Sequence, residues 1–176
     1  ITDAVQPVDW QDLFHEELPE AKLALWMLNA EWQRDGHSLQ LVATPQVPVD
    51  RLPARWQGLP VQLERPATAW RHATLALRLG LEAAGWNADV VALHGWQPTP
   101  VLAPRPGPSG PVLAGAPLRR DGLGFSADRP IGPLVLRLEG LHARLRPADD
   151  AGRALPMPPA HRETTLGAGL DLRRGP

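Results

Sequence analysis

The sequence predicts an all-β protein built as an antiparallel up-and-down meander. Three observations support this class. Short runs alternate apolar and polar residues, turn-forming pairs such as Asp-Gly separate two such runs, and 21 prolines and 16 glycines are spread between the runs of a 176-residue chain. Alternation with a period of two is typical of strands, and frequent proline and glycine favour short elements joined by turns. We expect residues 1–176 to form one domain.

The first hairpin is predicted around Asp35-Gly36, within the stretch AEWQRDGHSLQLVATPQ. Asp-Gly tolerates the positive φ values of a type I′ turn. A two-residue loop pairs Arg34 with His37, and Trp32 then pairs with Leu39. The register that follows puts only apolar residues on one face, and the other face is mostly polar. A slip of one residue would mix the two sets, so turn and pattern support the same register.

A second hairpin is predicted at Ala84-Gly85, within LALRLGLEAAGWNADVVALHGW. A tight turn there pairs Leu81 with Ala88 and Leu79 with Val90. Ala84 fits a type I′ turn poorly, which leaves a longer loop open as an alternative.

Three further runs continue the pattern. GLGFSA and LVLRLEGLHARL form a third pair joined at DRPIGP, and TTLGAGLDL gives a seventh strand. Their apolar positions share one face of the sheet: Leu123, Phe125, Ala127, Leu134, Leu136, Leu138, Leu166, Ala168, Leu170 and Leu172.

The connections alternate in length. Those within hairpins are short, whereas the expected loops, at about 1–20, 46–68, 97–117 and 147–162, are long and rich in proline. Short turns on one side and long loops on the other are typical of transmembrane β-barrels of the bacterial outer membrane. We therefore predict that the meander is part of such a barrel. Seven strands are an odd number below eight, so the barrel is expected to be partial.

Tryptophans are expected to form a lipid-facing girdle at the two rims of the barrel. Trp86 and Trp96 are separated by ten residue steps, which correspond to roughly 25 Å along the axis of a barrel with tilted strands. The proposed girdle consists of Trp26, Trp32, Trp70, Trp86 and Trp96.

If the apolar face meets lipid, the polar face lines a lumen. The side chains expected there are Glu31, Gln33, Gln40, Arg78, Glu82, Asp89, Arg137, Glu139 and Asp171. Charged groups that line a pore set its selectivity. Both signs occur, so the sequence predicts no preference for cations or anions.

Four stretches resemble a family of uncharacterised proteobacterial outer-membrane β-barrels. They are VQPVDWQDLFHEELPEAKLALWMLNAEWQRDGHSLQLVATPQVPVDRLP, LRLGLEAAGWNADVVALHGWQPTPVL, LGFSADRPIGPLVLRLEGLHARL and ETTLGAGLDL. These porin-like proteins are loosely akin to alginate-export channels. The resemblance implies an internal fragment of a longer channel in the bacterial outer membrane, with membrane lipid and a small hydrophilic solute as its partners. The chain starts ITDAVQPVDW and has no visible signal peptide.

Other function classes find little support. A net charge of −1 without a basic, aromatic-rich stretch gives no reason to expect nucleic acid. The six histidines lack a recognised metal spacing, no cysteine is present, and the three serines have no nucleophile context. We expect no catalytic residues, no metal and no cofactor. The segment RPGPSGPVLAG is expected to be a solvated loop, since its prolines remove donors that a phosphate-binding loop needs.

One alternative stays open. A soluble β-sandwich or lipocalin-like binding module would also alternate apolar and polar residues. In that case Leu77, Leu79, Val90 and Leu136 would be buried in a core of the protein itself.

Overall fold

The computed structural model describes residues 25–63, 66–147 and 159–172. These residues form eleven strands and one turn of 3-10 helix, Trp70–His72, without an α-helix. The strands are β1 (Leu28–Arg34), β2 (His37–Thr44), β3 (Arg55–Trp56), β4 (Leu59–Leu63), β5 (Thr74–Ala83), β6 (Trp86–Trp96), β7 (Val101–Gly107), β8 (Gly110–Ala116), β9 (Leu118–Ile131), β10 (Leu134–Pro147) and β11 (His161–Leu172). The predicted all-β class is confirmed.

Seven of the strands form the predicted antiparallel meander, in the order β1-β2-β5-β6-β9-β10-β11. The seven-stranded sheet is called the meander below. Within the described residues β1 and β11 each have a hydrogen-bonded neighbour on one side only, so the sheet has two open edges. In the part of the chain that the structure describes, no helix is long and apolar enough to cross a membrane.

The registers of the first two hairpins are those expected from the sequence. Arg34 pairs with His37 and Trp32 with Leu39 in the first, and Leu81 pairs with Ala88 in the second. Both turns have two residues at positive φ, 49° at Asp35 and 76° at Gly36, then 52° at Ala84 and 78° at Gly85. Ala84 therefore adopts the left-handed conformation despite its Cβ, and the longer loop is not needed.

The third hairpin also keeps the expected facing, although its strands are longer than the sequence pattern suggested. β9 continues through DRPI to Ile131, and the turn lies at Gly132-Pro133. Leu138 pairs with Ala127 and with Ala168, so the apolar positions of β9, β10 and β11 share one face.

Two segments expected as long loops contain a second sheet. β3, β4, β8 and β7 lie in this order, with β4 parallel to β8 and the other pairs antiparallel. The prediction of a solvated loop over RPGPSGPVLAG is thus wrong. Its prolines suggested a loop because proline cannot donate a backbone hydrogen bond. Pro104 and Pro106 nevertheless lie in β7, which is an edge strand and tolerates residues without that donor.

Most of the buried residues of the meander lie at the end that carries the long connections, whereas Val135 is buried beside the short turn before β10. Val42 and Ala76 are 1% and 2% exposed, and Met27 and Leu93 pack against them. The connection after β2 is anchored there as well, because the backbone N–H of Asp50 donates to the carbonyl of Pro98 at 3.0 Å and its carboxylate accepts from Thr99 at 2.7 Å. The opposite end, at the short turns, keeps one face polar and the other apolar.

Candidate functional site: the polar face of the meander

The register places the nine predicted lumen residues on one face of the meander. Cross-strand partners have side chains on the same side of a sheet, and neighbours along a strand have them on opposite sides. Glu31 pairs with Gln40, which pairs with Arg78, and Glu82 pairs with Asn87. On the other half of the sheet Glu139 pairs with Ser126. We call this side the polar face.

Ion pairs and hydrogen bonds connect neighbouring strands across the polar face. Arg78 donates to both carboxylate oxygens of Asp89 at 2.8 Å each, in a two-pronged contact between β5 and β6. Arg137 on β10 lies 3.0 Å from the Asp171 carboxylate on β11. Gln40 donates to the side-chain oxygen of Asn29 at 3.1 Å. These half-exposed contacts orient side chains and contribute little stability each, about 0.2 to 1 kcal/mol.

The structure divides the predicted lumen residues into two groups. Glu31, Gln33, Arg78, Glu82 and Asp89 line a polar pocket of about 310 Å³ near the short turns. The other four lie outside this pocket, namely Gln40 on β2 and the charged side chains Arg137, Glu139 and Asp171 on β10 and β11.

Asp128 completes the pocket, and the sequence pattern did not single it out. It accepts a hydrogen bond from the Asn87 amide at 3.1 Å and lies opposite that residue on β9. The sequence pattern assigned Asp128 to the turn DRPIGP, although its alternation with Ala127 was a usable signal. With Asp128 included, the pocket holds four carboxylates (Glu31, Glu82, Asp89 and Asp128) and one guanidinium.

The opposite side, called the apolar face below, is exposed across all seven strands. Leu79 is 52% exposed, Val90 45%, Phe125 46% and Leu166 75%. The apolar face comprises Leu28, Ala30, Trp32, Leu39, Leu41, Ala43, Leu75, Leu77, Leu79, Leu81, Trp86, Ala88, Val90, Ala92, Leu123, Phe125, Ala127, Arg129, Ile131, Leu134, Leu136, Leu138, Gly140, Leu166, Ala168, Leu170 and Leu172. Arg129 is the one charged residue in this set, and Arg34 lies on the same side of the sheet beside the first turn. The Arg129 guanidinium lies 5.5 Å from the ring centre of Trp86.

Three of the five expected girdle tryptophans are well exposed, namely Trp26 at 83%, Trp32 at 53% and Trp70 at 67%. Trp86 is half-buried beside Arg129. The prediction that Trp96 belongs to the girdle is wrong, because only 2% of its surface is exposed. Its indole N–H donates to the carbonyl of His72 at 2.6 Å, and Arg119 covers its ring at 3.9 Å. The short helical turn that carries His72 thus removes Trp96 from any girdle.

Neither the folded chain nor its comparison with known proteins gives a direct indication of chemistry. Among the residues that the structure describes, no three His, Asp or Glu side chains converge as a metal site. No known protein family, curated protein or solved structure matches the chain.

Proposed function

We propose that the chain is a segment of a bacterial outer-membrane β-barrel that acts as a passive pore or export channel for small hydrophilic solutes. The proposal rests on one observation, namely that an exposed apolar face and a polar face lie on opposite sides of the same sheet. Large apolar side chains are exposed over the whole width of the meander, and directly behind them lies a polar face with a charged pocket. Exposed apolar surface of this extent marks a membrane or protein contact, and a polar interior behind it is typical of a pore.

The apolar residues form a band that is slanted relative to the rows of cross-strand partners. This slant supports a planar membrane as the environment of the apolar face. The row of cross-strand partners that starts at Trp32, on the turn side of β1, ends at Leu166 on β11. In β11 the band continues six residues further toward the turn side, to Leu172. On the loop side the row of Leu28 ends at Arg162, four residues before the band begins at Leu166.

The slant has the size expected for barrel strands that cross a bilayer. Six steps between strands cover about 29 Å, and a drift of four to six residues covers about 13 to 20 Å. The strands then tilt about 25° to 35° from the normal of the band, close to the 35–45° of transmembrane barrels. A flat slab of hydrocarbon imposes such a drift on tilted strands.

The residues at the two margins of the band also support a membrane as its environment. Trp32 and Trp86 lie near the short turns, whereas Trp26 and Trp70 lie on the side of the long connections. Aromatic side chains of this kind favour the boundary between hydrocarbon and water. The Arg129 guanidinium beside Trp86 is also at the turn-side margin, from which a long side chain reaches water.

The soluble alternative is less well supported. It required Leu77, Leu79, Val90 and Leu136 to be buried in a core of the protein. The exposed fractions of the first three are 38%, 52% and 45%, and Leu136 is half-buried. The resemblance of four sequence stretches to porin-like outer-membrane barrels adds to the channel proposal, and it supplies the cellular location and the lipid and solute partners.

Conductance in planar lipid bilayers tests the proposal. Gln40 and Leu41 are neighbours on β2, and the first faces the polar side and the second the apolar side. We expect the full-length protein to give conductance steps that Gln40→Trp makes smaller, because the indole narrows the lumen. Leu41→Trp should leave the steps unchanged. Absence of conductance above that of the empty membrane, or equal effects of the two variants, would overturn the proposal.

A further inference from the structure

The apolar face ends on its loop side in a group of arginines, called the arginine rim below. It consists of Arg119, Arg144, Arg146 and Arg162, and Asp121 is the one acid that the described part of the chain contributes to it. Along β11, Arg162 lies four residues, or about 13 Å, beyond the last apolar residue of the band, Leu166. The register puts these side chains on the same side of the sheet as the apolar face. In a membrane they would lie outside the hydrocarbon but still face lipid.

Two pairs of arginines face each other across strands in the arginine rim. Arg144 on β10 is the direct partner of Arg162 on β11, and Arg146 on β10 is the direct partner of Arg119 on β9. Like charges at directly opposite positions destabilise a sheet. Arg144 also faces Asp121 on its other side, and this acid reduces the repulsion without removing it. An anion between the guanidinium groups of Arg144 and Arg162 would turn the remaining repulsion into attraction.

The acid in the rim offsets only part of this charge. Asp121 contacts Arg146 at 3.2 Å and also the ring of His94, and Arg119 is held over Trp96. Arg144 and Arg162 are exposed, and neither forms an ion pair with a residue in the described ranges. The pair is thus available to an outside anion. A guanidinium presents parallel N–H donors that match the oxygens of a phosphate.

We propose that the arginine rim binds the phosphate group of an anionic lipid headgroup at the loop-side margin of the bilayer, with Arg144 and Arg162 as its main ligands. The inference rests on the proposed function, because it needs the apolar face to be in lipid. A lipid is favoured over a free phosphate since the rim adjoins the apolar band, so that acyl chains and headgroup are recognised together.

Lipid binding to the purified full-length protein in neutral detergent micelles tests the proposal. Phosphatidylglycerol is titrated against phosphatidylcholine, and bound lipid is counted by native mass spectrometry. We expect a preference for phosphatidylglycerol that weakens about fivefold for each arginine removed in Arg144→Gln and Arg162→Gln. The matched control, Arg55→Gln with Arg137→Gln, removes the same charge from the second sheet and the polar face and should retain the preference.

The outcomes separate this inference from the channel proposal. Equal lipid preference in the wild type and the rim variant, or equal losses in rim and control variants, would overturn the lipid site. Competition by inorganic phosphate at matched concentration would assign the site to a free anion and also overturn it. The double rim variant should unfold no more readily than the wild type in neutral micelles, since it removes an unfavourable pair. Failure to insert into phosphatidylcholine vesicles would instead contradict the channel.

Discussion

At the scale of single residues, close contacts on the apolar face depend on a glycine. Gly140 on β10 lies under the ring of Phe125, and a Cβ added there would come within 3.0 Å of the ring and of a Leu166 methyl group. The aromatic ring thus covers the gap that the missing side chain leaves, a known way to stabilise glycine in a strand. On the polar face of the neighbouring strand, a Cβ added at Gly167 meets nothing closer than 3.9 Å.

We predict opposite effects of alanine at these two glycines. Gly140→Ala forces the Phe125 ring to move and should lower the free energy of unfolding by about 1 to 3 kcal/mol. Gly167→Ala restricts the unfolded chain without a clash and should be neutral or stabilising by up to about 1 kcal/mol. Denaturant unfolding in micelles measures both. Equal effects would mean that Phe125 does not pack on Gly140.

The charge of the polar pocket leads to a second prediction at this scale. Four carboxylates face one guanidinium in the pocket. Acidic rings in a pore favour cations, so the proposed channel should pass K⁺ more readily than Cl⁻. Glu82→Gln combined with Asp128→Asn should lower the K⁺/Cl⁻ permeability ratio measured from reversal potentials in a salt gradient. A ratio that is unaffected by the double variant would place these carboxylates outside the conduction path.

At the scale of elements, hairpins could be predicted from the sequence and the second sheet could not. Asp35-Gly36 and Ala84-Gly85 define their registers locally, because each pairs strands that follow one another in the chain. The parallel pairing of β4 with β8 joins residues about fifty positions apart, such as Val61 and Leu113, so no local sequence pattern predicts it. The same limit explains why the facing of the polar residues was predictable and the burial of Trp96 under His72 was not.

The turn at Gly36 gives a prediction for the first hairpin. Gly36 has φ 76°, and a Cβ there would lie 2.9 Å from the carbonyl oxygen of Glu82, whereas Gly85 has φ 78° with open space around it. Both alanine variants suffer the cost of left-handed backbone, about 1 to 2 kcal/mol. Gly36→Ala should lose at least about 1 kcal/mol more than Gly85→Ala, since it also meets the backbone of the next hairpin. Unfolding midpoints that coincide would contradict this contact.

At the scale of the whole molecule, the proposed function depends on what surrounds the apolar face. An apolar face exposed over seven strands, slanted against the hydrogen-bond rows and bordered by tryptophans and arginines, is what the proposed location in a bilayer would produce. The sequence predicted which residues share that face, because alternation is a local property. The slant depends on the registers of all seven strands together, so it could be recognised only in the folded sheet.

The most direct test of this claim is the free energy of folding into phosphatidylcholine vesicles for two leucine-to-arginine variants. Leu79 lies well inside the slanted band, and Leu172 lies at its turn-side end. We predict that Leu79→Arg costs about 2 to 4 kcal/mol and Leu172→Arg at most about 1 kcal/mol, since the penalty of a charge falls from the bilayer centre to its surface. If the face meets water, both replacements would change stability by less than about 0.5 kcal/mol, and that result would contradict the account.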